Sequence, residues 1–263
     1  MKYLIILFFS SSLLFSKVYY SKVEPYEVRN ISSNVVGLVL FIDEDMIGKK
    51  LTSRAYITID SELDRKELQS INKKLLSLNN IIKTNKKVLT NLETLVQRKR
   101  INYDKIKSLK IKSVVEKDRE FYDLVTSENL SLATMKEIEN LNIQVADLKL
   151  RQAHLKRSII DKNLNAKGFV LYSIDVRPGQ VVSMATPLAK IADISKAKLS
   201  IFLDEVDVID AQKKKVYIDG VETQYKISRI LTVADSKNIS KYMAQIIINP
   251  PKVFSKLVKI ELK

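Results

Sequence analysis

The spacing of apolar side chains along this chain changes twice. Val18-Tyr19-Tyr20, Tyr26-Glu27-Val28, Val35 to Phe41 and Tyr56 to Ile59 alternate with period two. They are rich in β-branched and aromatic residues and predict strands. Asp60-Ser61-Glu62 then reads as a helix start, with acid in the first turn. From Glu62 to about Leu109 there is neither Pro nor Gly. Apolar positions there recur every 3.5 residues at Leu68, Ile71, Leu75, Leu78, Ile82, Asn85, Leu89, Leu92, Val96, Lys99, Tyr103 and Ile106. Ten of these twelve are apolar or aromatic, the repeat that keeps one stripe against a partner helix. Asn85 is a register-setting polar position, and Lys99 must snorkel. Such a helix spans on the order of 70 Å at 1.5 Å per residue.

Lys110-Ile111-Lys112-Ser113-Val114-Val115 breaks the pattern and predicts a turn. A second helix is expected from about Glu116 to Lys162. Near the turn its apolar positions are Phe121, Leu124, Val125, Leu132 and Met135; farther on they are Ile138, Leu141, Val145, Leu148, Leu155 and Ile159. The change of phase near Met135 predicts a stutter in the coil. Two stripes of equal length joined by a short break predict an antiparallel hairpin, with an intermolecular coiled coil as the alternative.

Past Asn163 the period returns to two, with strands expected at Gly168–Tyr172, Leu199–Leu203, Lys215–Ile218, Tyr225–Leu231, Met243–Ile248 and Leu257–Leu262. Pro178-Gly179 and Asp219-Gly220 mark tight turns, and Pro250-Pro251 ends a strand.

Composition adds a compartment. Met1-Lys2, an apolar run over residues 3–15 and a first later charge at Lys17 predict a secretory signal peptide cleaved after Ser16. The alternative is an uncleaved anchor, although a spanning helix needs roughly 20 apolar residues. The absence of cysteine excludes disulfides, zinc thiolates and thiol nucleophiles. A net charge of +15 raises the question of nucleic acid. In an exported protein with lysines scattered among Asn and Ser, a solvated basic surface is the better reading, with attraction to anionic headgroups as a second use.

Residues 37–51 overlay residues 168–182 at an offset of 131, matching Gly37 to Gly168, Gly48 to Gly179 and Leu51 to Val182. Two such β fragments, each too small for a core, are expected to pair into one sandwich from which the hairpin leaves and to which it returns. Two half-motifs split by an antiparallel coil resemble the HlyD-type membrane fusion, or periplasmic adaptor, family of tripartite efflux pumps. The most specific stretch is Asn165–Glu205, with Val176-Arg177-Pro178-Gly179-Gln180-Val181-Val182, Thr186–Asp193 and Asp204-Glu205-Val206-Asp207. The resemblance implies an α+β protein: a long antiparallel α-helical hairpin inserted in a lipoyl-like β-sandwich, followed by a β-barrel. The expected layout is a signal peptide at 1–16, N-terminal strands and the first lipoyl-like half at 17–61, the hairpin at 62–163, the second half at 164–196 and the barrel at 197–263. The membrane-proximal domain of longer adaptors is not expected after Leu262.

The sequence departs from the family in two places. The first half-motif, Phe41–Leu51, lacks the glycine that usually follows its acidic residue. At the hairpin tip, Leu109 matches the leucine of the family's Arg–Leu–Ser pattern, Lys105 stands for the arginine, and Glu116 or Lys117 for the serine. The channel-contact tip implied by the resemblance is Lys105, Leu109, Ile111, Val114, Val115, Glu116 and Lys117. For its apolar members the alternative is packing within the tip itself.

No cofactor, metal or catalytic site is expected. His154 is a lone imidazole on a helix, Met46, Met135, Met184 and Met243 are dispersed, and there is no phosphate-binding glycine loop. A lipoyl or biotinyl carrier needs a lysine in the hairpin that the helices replace. The implied role is a non-enzymatic adaptor in the periplasm, associated with the inner membrane. It links an inner-membrane transporter of the RND or ABC type to a TolC-like outer-membrane channel and self-associates into a ring. The alternatives are an adaptor for protein secretion and a free-standing periplasmic scaffold or chaperone.

Overall fold

The structure, a computed structural model, describes residues 17–231, 233 and 241–263; the expected leader at 1–16 lies outside them. In chain order the elements are β1 (Val18–Lys22), β2 (Glu24–Ser32), β3 (Gly37–Ile42), β4 (Ile57–Ile59), α1 (Glu62–Ser108), α2 (Val114–Asp161), β5 (Asn163–Leu164), β6 (Val170–Ile174), β7 (Val181–Val182), β8 (Pro187–Asp204) and α3 (Glu205–Val208). Then come β9 (Val216–Ile218), β10 (Val221–Glu222), β11 (Ile227–Ile230), β12 (Lys241–Ile248) and β13 (Leu257–Leu262).

The two expected half-motifs do interlock, through reciprocal backbone bonds. Val39 N donates to Gln180 O at 2.9 Å, and Gly179 N donates to Val39 O at 2.8 Å. In the mirror contact Leu171 N donates to Lys49 O at 3.2 Å, and Gly48 N donates to Leu171 O at 2.8 Å. Gly48 and Gly179 both take the left-handed conformation, φ 78° and 85°, which a glycine adopts without strain. The strand overlay is one residue off, however. Leu171, and not Val170, is the counterpart of Val39, and both are fully buried. Gly37 and Gly168 therefore play unrelated roles. Gly168 turns with φ 97°, whereas at Gly37 a Cβ would meet Ile59 Cγ2 at 2.7 Å. The shared core contains Val39, Leu51, Tyr56, Ile59, Leu171, Val176 and Val182.

The hairpin leaves and returns at one seam of this sandwich. Thr58 pairs with Asn163 and Ile57 with Leu164, while Ile59 N donates to Lys162 O at 2.8 Å. The helices run 47 and 48 residues. All twelve expected seam positions of α1 are buried or half-buried, and Lys99 snorkels, its Nζ donating to Asp123 O at 3.1 Å. The stutter expected near Met135 is absent. The seam of α2 keeps one phase through Leu124, Ser127, Ser131, Thr134, Ile138, Leu141 and Val145, with Ser127 and Ser131 buried. The phase set by Ile138, Leu141 and Val145 carries through the serines, so the heptad outweighs the apolar count, and Leu132 and Met135 face outward.

The expected β-barrel is not closed among the described residues. Its two sheets, β1-β13-β9-β10 and β11-β12-β8-β2, face each other over Leu199, Ile201, Leu203, Val216, Ile246 and Ile260. β10 and β11, of two and four residues, stand at edges of the two sheets, and no ladder joins the sheets among the described residues. Ser21 makes one link across, its Oγ accepting from Ser200 N at 2.9 Å. The boundary expected at 196/197 falls inside β8, an 18-residue strand shared by both modules. A bulge marks the passage, where pairing with β2 steps from Glu27↔Asp193 to Pro25↔Ala197. Residues 18–22, the first of the N-terminal strands expected in 17–61, pair with β13. Asp219-Gly220 makes the expected hairpin turn, with φ 50° and 83°.

Candidate functional site

The far end of the hairpin is built by two different helix ends. α1 stops at Ser108, whose Oγ donates to Lys105 O at 2.9 Å, and Leu109 leaves in an extended conformation. α2 starts on a capping box: Glu116 N donates to Ser113 Oγ at 3.2 Å, and Ser113 N donates to Glu116 Oε2 at 3.0 Å. Lys112 Nζ reaches Glu116 Oε1 at 3.0 Å. The Lys112 contact first, and the Ser113 bonds second, hold the Glu116 carboxyl down at about 2. The cap sets the helix start at Val114, so Val114 and Val115, expected in the turn, form the first turn of α2. Reasoning from the sequence missed Ser113, although Ser113-x-x-Glu116 is the capping-box pattern.

The structure gathers Leu109, Ile111, Val114, Val115, Glu116 and Lys117 at this end, with Lys105 one turn below on α1. Ile111, Val114 and Val115 are 88%, 73% and 77% exposed, so packing within the tip does not occupy them; Leu109 is partly covered. The Glu116 carboxylate is taken up by its cap, and Lys117 is half-buried in the seam. Beneath the tip Tyr103 and Phe121 meet across the hairpin at 5.6 Å, with Lys107 over the Tyr103 ring. The site is thus an apolar knob on a rigid, capped helix pair, suited to packing against other helices.

His154 stands exposed on α2. Among the described residues no three His, Asp or Glu side chains converge as a metal site would require, and no helix is long and apolar enough to cross a membrane.

No protein-family model and no curated protein matches the chain. Solved structures do. MacA from Actinobacillus actinomycetemcomitans superposes with a TM-score of 0.63 at 17% identity, over 94% of this chain and 78% of that one. The membrane fusion protein Spr0693 from Streptococcus pneumoniae R6 gives 0.59 at 9% identity, over 93% and 99%. A MacA–MexA chimera containing the Pseudomonas aeruginosa MexA α-hairpin domain gives 0.58 at 15%, over 94% and 81%. The interlocked sandwich, the helical rod rooted at its seam and the C-terminal sheets together give this chain the fold of the membrane fusion, or periplasmic adaptor, proteins.

Proposed function

We propose that this protein is a non-enzymatic periplasmic adaptor linking an inner-membrane transporter, of the RND or ABC type, to a TolC-like outer-membrane channel. The observation that carries the reading is the exposed apolar tip, Ile111, Val114 and Val115, held far from the sandwich on helices of 47 and 48 residues. Exposed apolar side chains on a rigid helix end lose water when another helix covers them, which gives the tip its affinity for channel helices. In this reading the C-terminal sheets rest on the transporter, several copies stand side by side as a ring, and the energy comes from the transporter. The leader expected at 1–16 exports the chain.

A photo-cross-linking residue at Ile111 or Val114, in the full chain in its own cells, tests this. Capture of an outer-membrane channel is the expected result. Capture of no envelope protein from either position sinks the bridging role and favours a free-standing scaffold.

A further inference from the structure

Between Glu67 and Glu93 α1 runs 25 residues without an acid. Five lysines fall in that stretch, Lys73, Lys74, Lys83, Lys86 and Lys87, among ten Asn, Gln, Ser and Thr side chains. All five are exposed, and none enters an ion pair among the described residues. Elsewhere on the hairpin Lys66, Arg100, Arg151 and Lys162 each meet a carboxylate. Counting antiparallel from the Lys99–Asp123 contact sets Glu137 and Glu139 about level with Lys83, yet neither bridges to it. Lys87 follows Lys83 by one turn, a like-charge placement that destabilises a helix taken by itself. The shaft thus keeps positive charge where folding gains nothing from it.

The lysines open onto two shallow grooves. Asn79, Ile82, Lys83, Lys86, Lys87 and Thr90 line one of them. Ser70, Lys73, Lys74, Ser77 and Leu78 line the second, together with Gln144 of α2. At 100° per residue the two grooves lie on opposite sides of the seam, and Lys74 and Lys87 stand about 20 Å apart along the axis. The same set, a lysine pair with amide and hydroxyl groups beside an aliphatic side chain, is therefore presented twice. Unpaired lysines call for anions, and amides and hydroxyls call for hydrogen-bonding partners such as acetamido and hydroxyl groups. Repetition on both sides of the rod suits an extended polymer better than a small ion held in one pocket. No aromatic residue occurs from Glu62 to Asn102. The face thus has no ring to stack a base and no tyrosine or tryptophan belt for a bilayer surface.

We propose that the shaft of the hairpin binds the cell wall, with Lys83, Lys86 and Lys87 taking free carboxylates of its peptides and Asn79 and Thr90 taking polar groups of its glycan. The wall is a mesh of N-acetylated glycan strands joined by short peptides that carry carboxylates, which matches the two grooves group for group. Height agrees as well. Lys73 to Thr90 lie about 17 to 42 Å from the start of α1, on the middle of the rod and clear of both the sandwich and the tip. The proposal rests on the adaptor reading above, because a rod that reaches from the inner to the outer membrane must pass the wall along its shaft. Contacts of this kind are individually weak, exposed and screened by salt, so the wall would steady the rod without locking it.

The test mixes the full chain with purified, insoluble cell-wall sacculi and sediments them over a salt series. The chain is expected to pellet with the sacculi at low salt and to be released as salt rises. Lys83→Gln, Lys86→Gln and Lys87→Gln together should weaken binding about 5- to 100-fold. Removing as many charges from the C-terminal sheets, by Lys213→Gln, Lys226→Gln and Lys252→Gln, should leave it unchanged. All six positions are exposed, and circular dichroism checks that both triple variants keep their helix. Sacculi whose carboxylates have been converted to amides should no longer hold the chain. Equal loss in the two triple variants would reduce the effect to net charge and overturn the proposal. Undiminished binding to amidated sacculi, or no binding at all, overturns it too. So does a photo-cross-linker at Asn79 that captures a second copy of the chain in place of wall fragments. If Ile111 captures the channel while the sacculi fail to bind, the wall contact is wrong and the bridging role stands. If the sacculi bind through Lys83, Lys86 and Lys87 while the tip captures nothing, the wall contact stands and the bridging role is lost.

Discussion

Asp64 and Lys162 close the root of the hairpin, their side chains meeting at 2.9 Å where α1 leaves the sandwich and α2 comes back to it. Ser158 adds a second bond, its Oγ donating to Asp64 at 2.7 Å. Burial works to raise the Asp64 carboxyl, but the Lys162 and Ser158 bonds outweigh it and hold the group below its ordinary value. Both side chains are largely covered, so removing one would leave the other's charge buried without its partner. Asp64→Ala is expected to cost about 1.5–3 kcal/mol in denaturant unfolding, because it strands the Lys162 ammonium. Asp64→Leu with Lys162→Met should lose less than the single change. Equal losses in the two variants would show that the pair is not what secures the root.

The unbroken heptad of α2 makes a prediction opposite to the one a stutter would make. Ser131 lies in the seam and Met135 outside it. Ser131→Leu should stabilise the chain by about 0.5–2 kcal/mol, by adding apolar contact between the helices. Met135→Ser should stay within about 0.5 kcal/mol of the parent in the isolated protein. A large loss at Met135, with none gained at Ser131, would restore the stutter.

The reciprocal turns of the sandwich should respond alike to substitution. Gly48→Ala and Gly179→Ala each force a side chain into left-handed backbone with open space around it. Each is expected to cost about 1–2 kcal/mol. Gly37→Ala fails for a different reason, its Cβ pressing on Ile59, and overpacking of this kind costs about 1–3 kcal/mol. Thermal unfolding of the three variants distinguishes strain from crowding, because Gly37→Ala alone should be eased by trimming Ile59 to Ala.

Acid should release the tip before the rod. Glu116 sits at about 2, against an ordinary value of 4.5, because Lys112 and Ser113 favour its charged form. A carboxyl lowered by folding contributes stability above its unfolded value, and that contribution is lost as pH falls through the folded one. Amide exchange at residues 113–117 should therefore be pH-independent above about 4.5 and lose protection as pH falls toward 2, once intrinsic rates are corrected. Glu116→Gln should abolish that dependence, and Ser113→Ala should loosen the first turn of α2 by about 1 kcal/mol. Unchanged protection down to pH 2 would mean that the cap does not hold the tip.

Much of this protein is written locally. The α1 seam could be read residue by residue, because a helix this long can satisfy its apolar stripe only by facing it to one partner, and a period of 3.5 names that face. The Asp219-Gly220 turn was equally legible, since left-handed backbone at both positions calls for such residues. The tip was legible as a place and not as a shape, because the Ser113–Glu116 cap was overlooked and the start of α2 was set two residues late. What the order of residues could not settle was which of two competing patterns wins. On α2 the apolar stripe at Phe121, Leu132 and Met135 is the stronger local signal, yet the phase fixed by Ile138, Leu141 and Val145 continues through Ser127 and Ser131, because a stiff helix cannot rotate one half against the other without a break. In the sandwich Val39 aligns with Val170 by eye and with Leu171 in space, because the bulges at Val39/Phe41 and Leu171/Ser173 shift side chains relative to the turns. The period of each element belongs to the sequence, while its phase, the open edge of the C-terminal sheets and the passage of β8 through both modules were decided by what each strand or helix met across the core.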